Sequence, residues 1–317
     1  MTEPGSEDTN EPIAASNPTT QSRAQSDALR IGFSDPQPEL SWYQTPPLVD
    51  PVMIIGFAGW NDAGDAATGA VQHLADAWNA EPLASIDPEN FYDFTQIRPN
   101  VSLSDGGERR LEWPRNEFLV AQIPGSDRHA ILLSGIEPQL RWRTFSSFFT
   151  EVARTCGVSM VITLGALLAD VPHTRPTPVY GSSADPDTAE HLDLETSTYE
   201  GATGIVGVLH SALSTTGLPS ASLWAAVPSY VPGATSPKAR LALLERLSTV
   251  TETSIVIDQL VGDSASYERQ VTAFVEQDPD TVSYVSELEE HYDNADEPED
   301  SAGLVEEVER FLRDQKD

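Results

Sequence analysis

The chain has 317 residues, enough to bury one large core, and 50 acidic against 18 basic residues give it a formal charge of −32. That charge repels nucleic acid and anionic membrane surfaces, so neither is an expected partner. No stretch reaches the roughly 20 apolar residues of a transmembrane helix. The polar, acidic start lacks an apolar signal segment, so we expect a cytoplasmic protein.

A buried strand followed by a helix is the clearest predicted element. Residues 52–57 are apolar without alternation, as in a strand covered on both faces. A stripe of mostly alanine residues then recurs at helical spacing: Ala63, Ala66, Ala67, Ala70, Val71, Leu74, Ala77 and Trp78. Because small side chains let a helix lie close to a sheet, this pattern predicts the first βα unit of a layered α/β domain.

Strands and helices alternate through most of the remaining chain. We predict strands at 83–86, 118–123, 130–133, 160–164, 179–180 and 222–227, and a hairpin of 101–103 with 109–113 around Asp105-Gly106-Gly107. Helices are predicted at 145–156, near 187–192, at 205–213 with Thr203 as its N-cap, and from Pro237 with Ser236 as its cap. The single cysteine, Cys156, precludes an internal disulfide and is interpreted as a buried structural thiol ahead of a helix stop at Gly157.

Composition divides the chain into four predicted segments. Residues 1–39 form an acidic, disordered tail, 40–248 the α/β domain, 249–292 a helical subdomain, and 293–317 an acidic linker with a short amphipathic helix. Within the helical subdomain, separate helices are predicted at 255–260, 267–275 and 282–291.

The turn after the first strand invites comparison with phosphate-binding loops. Its glycines lack the spacing of such loops, and Asn61 and Asp62 occupy the place that a phosphate would take. A carboxylate there competes for the same backbone amides, so helix capping by Asp62 is the favoured interpretation.

A second group of polar residues follows two later strands. Glu137, Arg141 and Arg143 come after one strand, and Asp170, His173 and Arg175 after the next. Gathered in one crevice, they would suit acid/base chemistry on an anionic substrate, with Asp170 and His173 as the catalytic candidates. An ion-pair network between subunits explains the same residues and is favoured. No motif predicts a cofactor, and the Asp170/His173 and His191/Asp193 pairs lack a third metal ligand.

Several segments together resemble the PAC2 family, named for proteasome assembly chaperones, and in particular its bacterial branch. They are GFAGWNDAGDAAT, NFYDFTQIRP, EPQLRWRTF, LGALLADVPHTRP, YEGATGIVGVLH, SLWAAVPSYV and SPKARLALL, with SYERQV to LEEHY in the helical part. The resemblance implies a three-layer α/β/α fold similar to nucleoside phosphorylases and related hydrolases, and a homotrimer, without established catalytic residues. Eukaryotic and archaeal relatives act in proteasome assembly, several through a C-terminal hydrophobic-Tyr-any tail; this chain ends Arg313-Asp314-Gln315-Lys316-Asp317 instead, so the same docking is not expected.

Two functions remain open from the sequence. The first is a non-enzymatic, oligomeric interaction protein of assembly-chaperone type that meets an unidentified protein partner through its acidic surface and C-terminal helices. The alternative is an enzyme or sensor that binds a small anionic metabolite in the crevice, through Arg141, Arg143 and Arg175.

Overall fold

The computed structural model describes residues 38–104, 107–197 and 200–294. The strands in this part of the chain are β1 (Leu40–Trp42), β2 (Val52–Ala58), β3 (Glu81–Ile86), β4 (Asn100–Leu103), β5 (Arg109–Glu112), β6 (Asn116–Gln122), β7 (His129–Ile136), β8 (Met160–Ala169), β9 (Val179–Ser183), β10 (Glu195–Thr196) and β11 (Ser220–Pro228). The helices are α1 (Ala66–Ala77), α2 (Trp142–Cys156), α3 (Pro186–Leu192), α4 (Ile205–Ser214), α5 (Pro237–Thr251), α6 (Asp258–Val275) and α7 (Pro279–Asn294). None of these helices has both the length and the hydropathy needed to cross a membrane.

Nine of the strands form one mixed sheet in the order β1-β3-β6-β7-β2-β8-β11-β9-β10, and β4 with β5 forms a separate two-stranded sheet. The central strands β7, β2, β8 and β11 are parallel, whereas β1, β3 and β6 extend the sheet through antiparallel pairs. The carboxyl ends of the four parallel strands therefore lie along one edge, where α/β proteins usually place functional groups.

Helices cover both faces of the sheet, which gives the predicted three-layer α/β/α fold. Helices α1 and α5 pack on one face and α2 and α4 on the other. Strand β2 serves both layers, because Val52 and Ile54 face α1 and α5 while Met53, Ile55 and Phe57 face α2 and α4. The continuous apolar run that predicted a doubly covered strand is explained by this alternation.

The close approach expected from the alanine stripe occurs at Gly56. A β-carbon on Gly56 would lie 2.9 Å from the backbone carbonyl carbon of Ala67 in the first turn of α1. Such a distance is sterically forbidden, so only glycine fits between strand and helix at this point.

Most predicted elements are present, and three differ. Strands β1 and β10 were not predicted; they are three and two residues long and pair with β3 and β9, respectively. The helices predicted at 255–260 and 267–275 are one helix, α6, because Leu260, Ser264, Tyr267, Val271 and Val275 are buried at helical spacing through the intervening Gly262.

Other predictions fall partly or wholly outside the described residues. These are the disordered tail up to residue 37, two residues of the hairpin turn (Asp105-Gly106), the linker from residue 295 and the amphipathic helix near its end. The domain boundaries after residues 39, 248 and 292 remain predictions.

Candidate functional site

Loops at the carboxyl ends of β2, β7 and β8 carry seven of the eight candidate residues, and the eighth, Arg143, lies in the first turn of α2. The polypeptide turns sharply after each strand and enters a helix or a loop, so these side chains lie along one edge of the sheet. What each side chain contacts there decides which chemistry the edge supports.

Asp62 caps α1 from outside the helix, as predicted. One carboxylate oxygen accepts hydrogen bonds from the backbone amides of Ala67 (2.7 Å) and Thr68 (3.1 Å), and the other from the Thr68 hydroxyl. Burial raises the pKa of Asp62 even though these hydrogen bonds oppose the shift. Because a carboxylate already occupies the helix amides, phosphate binding at this turn is disfavoured.

Asn61 is buried next to this cap, with 1% of its surface exposed. Its backbone carbonyl accepts a hydrogen bond from the Ala166 amide at 2.9 Å, which ties the loop to β8. Neither side-chain polar atom of Asn61 has a hydrogen-bond partner among the described residues. A buried amide without partners is destabilising, so this position is a candidate contact for a small polar ligand or water.

Glu137 caps a different helix from the end of β7. Its Oε1 accepts a hydrogen bond from the Ile205 amide at 3.0 Å, the first residue of α4, and burial raises its pKa. The N-cap predicted at Thr203 is wrong: Gly204 holds that position and no side chain of the local sequence caps the helix. A β-carbon on Gly204 would lie 3.1 Å from the Glu137 carboxylate, so glycine leaves room for this long-range cap.

Arg141 and Arg143 differ in their contacts although they are two residues apart. Arg141, in a left-handed conformation (φ 55°) at the start of α2, forms an ion pair with Glu39 and lies 5.4 Å over the Phe91 ring. Arg143 is exposed and has no ion pair with any described residue.

Asp170, His173 and Arg175 connect the end of β8 to the C-terminal helices. Asp170 accepts hydrogen bonds from Ser229 (2.9 Å) and from Tyr284 of α7 (2.8 Å). Arg175 forms ion pairs with Glu289 (3.4 Å) and Asp293 (2.7 Å) of α7. The loop from Asp170 to Arg175 is therefore one of the places where α6 and α7 attach, beside the packing of Leu260 of α6 on α5.

His173 lies at the centre of that attachment and is only 3% exposed. Its Nδ1 is 2.8 Å from the Tyr230 hydroxyl and its Nε2 is 3.0 Å from the Thr272 hydroxyl of α6. Desolvation, and next the positive charge of Lys238, lowers the pKa of His173, while Glu268 and Glu289 act in the opposite direction. The imidazole is therefore neutral near pH 7 and joined to two hydroxyls rather than to a nucleophile in an open site.

The two groups of candidates thus have separate partners: Arg141 contacts Glu39 and Phe91, whereas Asp170, His173 and Arg175 contact the C-terminal helices. Whether any of these residues binds an anion remains a prediction. Among the residues that the structure describes, no three metal-ligating side chains are grouped closely enough to hold a metal ion.

The sequence did not predict the residues that attach to this loop from later in the chain. They are Tyr230, Lys238, Glu268, Thr272, Tyr284, Glu289 and Asp293. All of them except Glu268 bond to residues of the loop that lie 57 to 118 positions earlier in the sequence; Glu268 pairs with Lys238, which is nearer in the sequence. No local sequence pattern marks such distant pairs. The only available indication was an acidic helical region downstream of an arginine-bearing loop.

Comparisons with known proteins agree with this fold. The PAC2 family model matches residues 56–275. A PAC2 family protein from Streptomyces avermitilis is 46% identical, with a TM-score of 0.70 over 74% of this chain and 100% of that one. A proteasome-assembly chaperone homologue from Mycobacterium tuberculosis is 43% identical, with a TM-score of 0.68 over 74% of this chain and 99% of that one.

An archaeal proteasome activator from Pyrococcus furiosus shares the fold. It is 18% identical, with a TM-score of 0.59 over 74% of this chain and 97% of that one. A comparison with functionally curated proteins gave no match. The family model covers more than half of the chain and two bacterial relatives exceed 40% identity, which confirms the resemblance predicted from the sequence motifs. The chain belongs to the PAC2 family.

Proposed function

We propose that this protein is a non-enzymatic, self-associating interaction protein of assembly-chaperone type. The observation that carries the proposal is the attachment of α6 and α7 to the loop after β8. Asp170 and His173, the catalytic candidates, hydrogen-bond to residues of those helices, and His173 is 3% exposed. Groups used in this way hold two parts of the chain together and are unavailable to a substrate.

The relatives support a protein partner. One is described as a proteasome-assembly chaperone homologue and is 43% identical to this chain. By analogy, the partner of this chain is a subunit of a large assembly, and the homotrimer implied by the family is part of the same proposal.

The outer surface of α7 suits such a partner. Val285 is its one buried residue, and exposed acidic residues, including Glu287 and Glu290, cover much of the rest. Charge on a solvated helix favours fast, selective association with a basic surface more than it favours stability.

The test is capture of the tagged full chain from its own cells, followed by native mass spectrometry of the product. A stoichiometric partner is expected, and the double variant Glu287→Gln/Glu290→Gln should weaken its binding. The matched control is Asp187→Asn/Glu190→Gln on α3, which removes the same charge from exposed positions elsewhere. A partner lost equally in both variants would argue against α7 as the binding surface.

The chaperone part of the proposal needs an assembly measurement. With the captured partner purified as separate subunits, the protein should raise the yield of the assembled complex without being consumed. If the chain neither binds a partner nor changes assembly, the proposal is wrong.

One observation favours the alternative of a small-molecule site, namely the buried, unpartnered side chain of Asn61. Nucleotides, nucleosides and acidic metabolites should then stabilise the chain, because a ligand at 100 times its Kd adds about 2.7 kcal/mol. Thermal melting with each compound tests this, and the variant Asn61→Leu should abolish any shift. No shift with any compound would remove the support that Asn61 gives.

A further inference from the structure

The β4–β5 hairpin is largely exposed. Every residue of β5 is exposed, and so are three of the four in β4. The strand register pairs Val101 with Leu111 and Leu103 with Arg109, which puts these four side chains on one face. The exposed fractions of Val101, Leu103 and Leu111 are 58%, 69% and 39%.

The hairpin is anchored near its base by an aromatic contact and a buried proline. The Phe94 and Trp113 rings meet edge to face with centroids 4.9 Å apart, and Pro114 is buried. A two-stranded hairpin standing alone is marginally stable in water, and its apolar face gains free energy when it is covered. The apolar face of this hairpin would therefore be stabilised by a partner that covers it.

A complementary surface lies where α6 turns into α7, and we call residues 274–282 the α6–α7 corner. Phe274 and Val282 flank it, with 56% and 39% of their surfaces exposed. Its charged residues are Glu276, Asp278 and Asp280, and it contains no basic residue. The corner thus presents two exposed apolar side chains surrounded by acidic residues.

We propose that the hairpin of one copy docks onto the α6–α7 corner of a second copy. The apolar face that carries Val101, Leu103 and Leu111 covers Phe274 and Val282. Arg109 lies on the same face of the hairpin and meets the acidic residues of the corner. Like the chain as a whole, with its net charge of −32, the corner is negatively charged. Hydrophobic contact and charge complementarity thus select the same pair of surfaces.

Both surfaces are exposed within one chain, so neither covers the other there, and the proposed contact joins two copies. It uses two different surfaces, so it is heterologous, and repeated contacts of this kind close into a ring when the rotation allows. The inference rests on the self-association in the proposed function and names the surfaces responsible for it.

The test uses two variants of the full chain, Leu103→Glu in the hairpin and Phe274→Glu in the corner. Both positions are exposed, so the fold should persist, which circular dichroism verifies. Native mass spectrometry should give a closed oligomer for the wild type and the monomer mass of 34.4 kDa for each variant alone. Val256→Glu, at a position 67% exposed outside both surfaces, is the matched control and should remain oligomeric.

Mixing the two variants gives the decisive result. The Phe274→Glu chain keeps an intact hairpin and the Leu103→Glu chain an intact corner, so one contact can form and a 1:1 dimer is expected. A mixture that stays monomeric, or variants that stay oligomeric alone, would overturn the proposed contact while leaving self-association intact. A monomeric wild type would instead remove self-association, and the proposed contact with it.

Discussion

The central sheet and the C-terminal helices are held in place by different kinds of contact. Six of the seven residues of β2 are buried, and both layers of helices pack on it through apolar side chains. Helix α7 has one buried residue, Val285, and joins a small apolar cluster with Tyr267, Val271 and Val275 of α6. Most of its other described contacts are hydrogen bonds and ion pairs to the loop after β8.

This difference indicates two levels of stability within one chain. Regions with few buried apolar contacts open locally at a lower free energy than the core. We therefore expect α7, together with the part of α6 that packs on it, to be released before the sheet unfolds. A partner that binds these helices would change their attachment without disturbing the fold.

Phe149→Ala should cause the largest loss, because it removes a ring at the centre of the α2 layer. Phe149 is fully buried, with centroid distances of 4.9 Å to Phe118 and 5.3 Å to Phe145. Such a cavity costs about 3–5 kcal/mol of unfolding free energy, measured by urea titration. Val256→Ala, at a position 67% exposed and outside both proposed contact surfaces, is the control and should cost far less; equal losses would contradict the comparison.

Val271→Ala should act locally on the C-terminal helices. Val271 is 5% exposed within the small cluster, and removing two methyl groups costs about 1.5 kcal/mol. Hydrogen exchange should accelerate in α6 and α7 and remain unchanged in β2 and β8. Val261→Ala, on the same helix and 50% exposed, is the control. Faster exchange throughout the sheet would show that the helices and the sheet open as one unit.

Lowering the pH should loosen the same helices. The pKa of His173 is lowered in the folded chain, whereas a released histidine regains its usual value of about 6.5. The released state therefore binds more protons, so the stabilisation present above about pH 6.5 is lost as the pH falls towards the folded pKa.

The titratable groups that face His173 are Tyr230, Lys238, Glu268 and Glu289, and the Thr272 hydroxyl contacts its Nε2. Hydrogen exchange in α6 and α7 should be faster at pH 5.5 than at pH 7.5, after correction for the intrinsic rate. His173→Gln should remove most of this difference. If it persists unchanged in that variant, another group is responsible.

The smallest effect is expected from Arg175→Gln. Its ion pairs with Glu289 and Asp293 are partly exposed, and such pairs contribute little to stability because solvent and salt screen them. Arg143→Gln removes the same charge from a residue without a described ion pair and should change nothing measurable. A difference between the two variants that does not shrink in 0.5 M salt (about 4 Å Debye length) would mean that Arg175 acts through packing.

The sequence predicted the elements whose signals are local. The apolar run of β2, the alanine stripe of α1 and the Ser236-Pro237 start of α5 each appear where expected, and the Ser236 hydroxyl accepts from the Ala239 amide at 3.2 Å. Strand β1 was missed because three residues carry too little periodicity. Helix α6 was divided because Gly262 and its polar neighbours lower helix propensity, and tertiary packing outweighs that preference.

The candidate site was predicted less completely, since its partners are distant in sequence. Asp62 caps a helix within six residues and was assigned correctly. Glu137 caps α4 from 68 residues away, so the local candidate Thr203 was chosen instead. His173 and Arg175 were recognised as candidates, but their partners in α6 and α7 depend on how the helices pack.

The position of Cys156 allows release of the C-terminal helices to be followed by site-specific labelling. It is the only cysteine in the chain, and it ends α2 beside the amino end of β8, opposite the edge that holds the C-terminal helices. Burial raises the pKa of its thiol, so little reactive thiolate forms at neutral pH. A reporter attached through Ser286→Cys on the exposed surface of α7 would therefore react first, and its fluorescence would follow release of the helices almost without background.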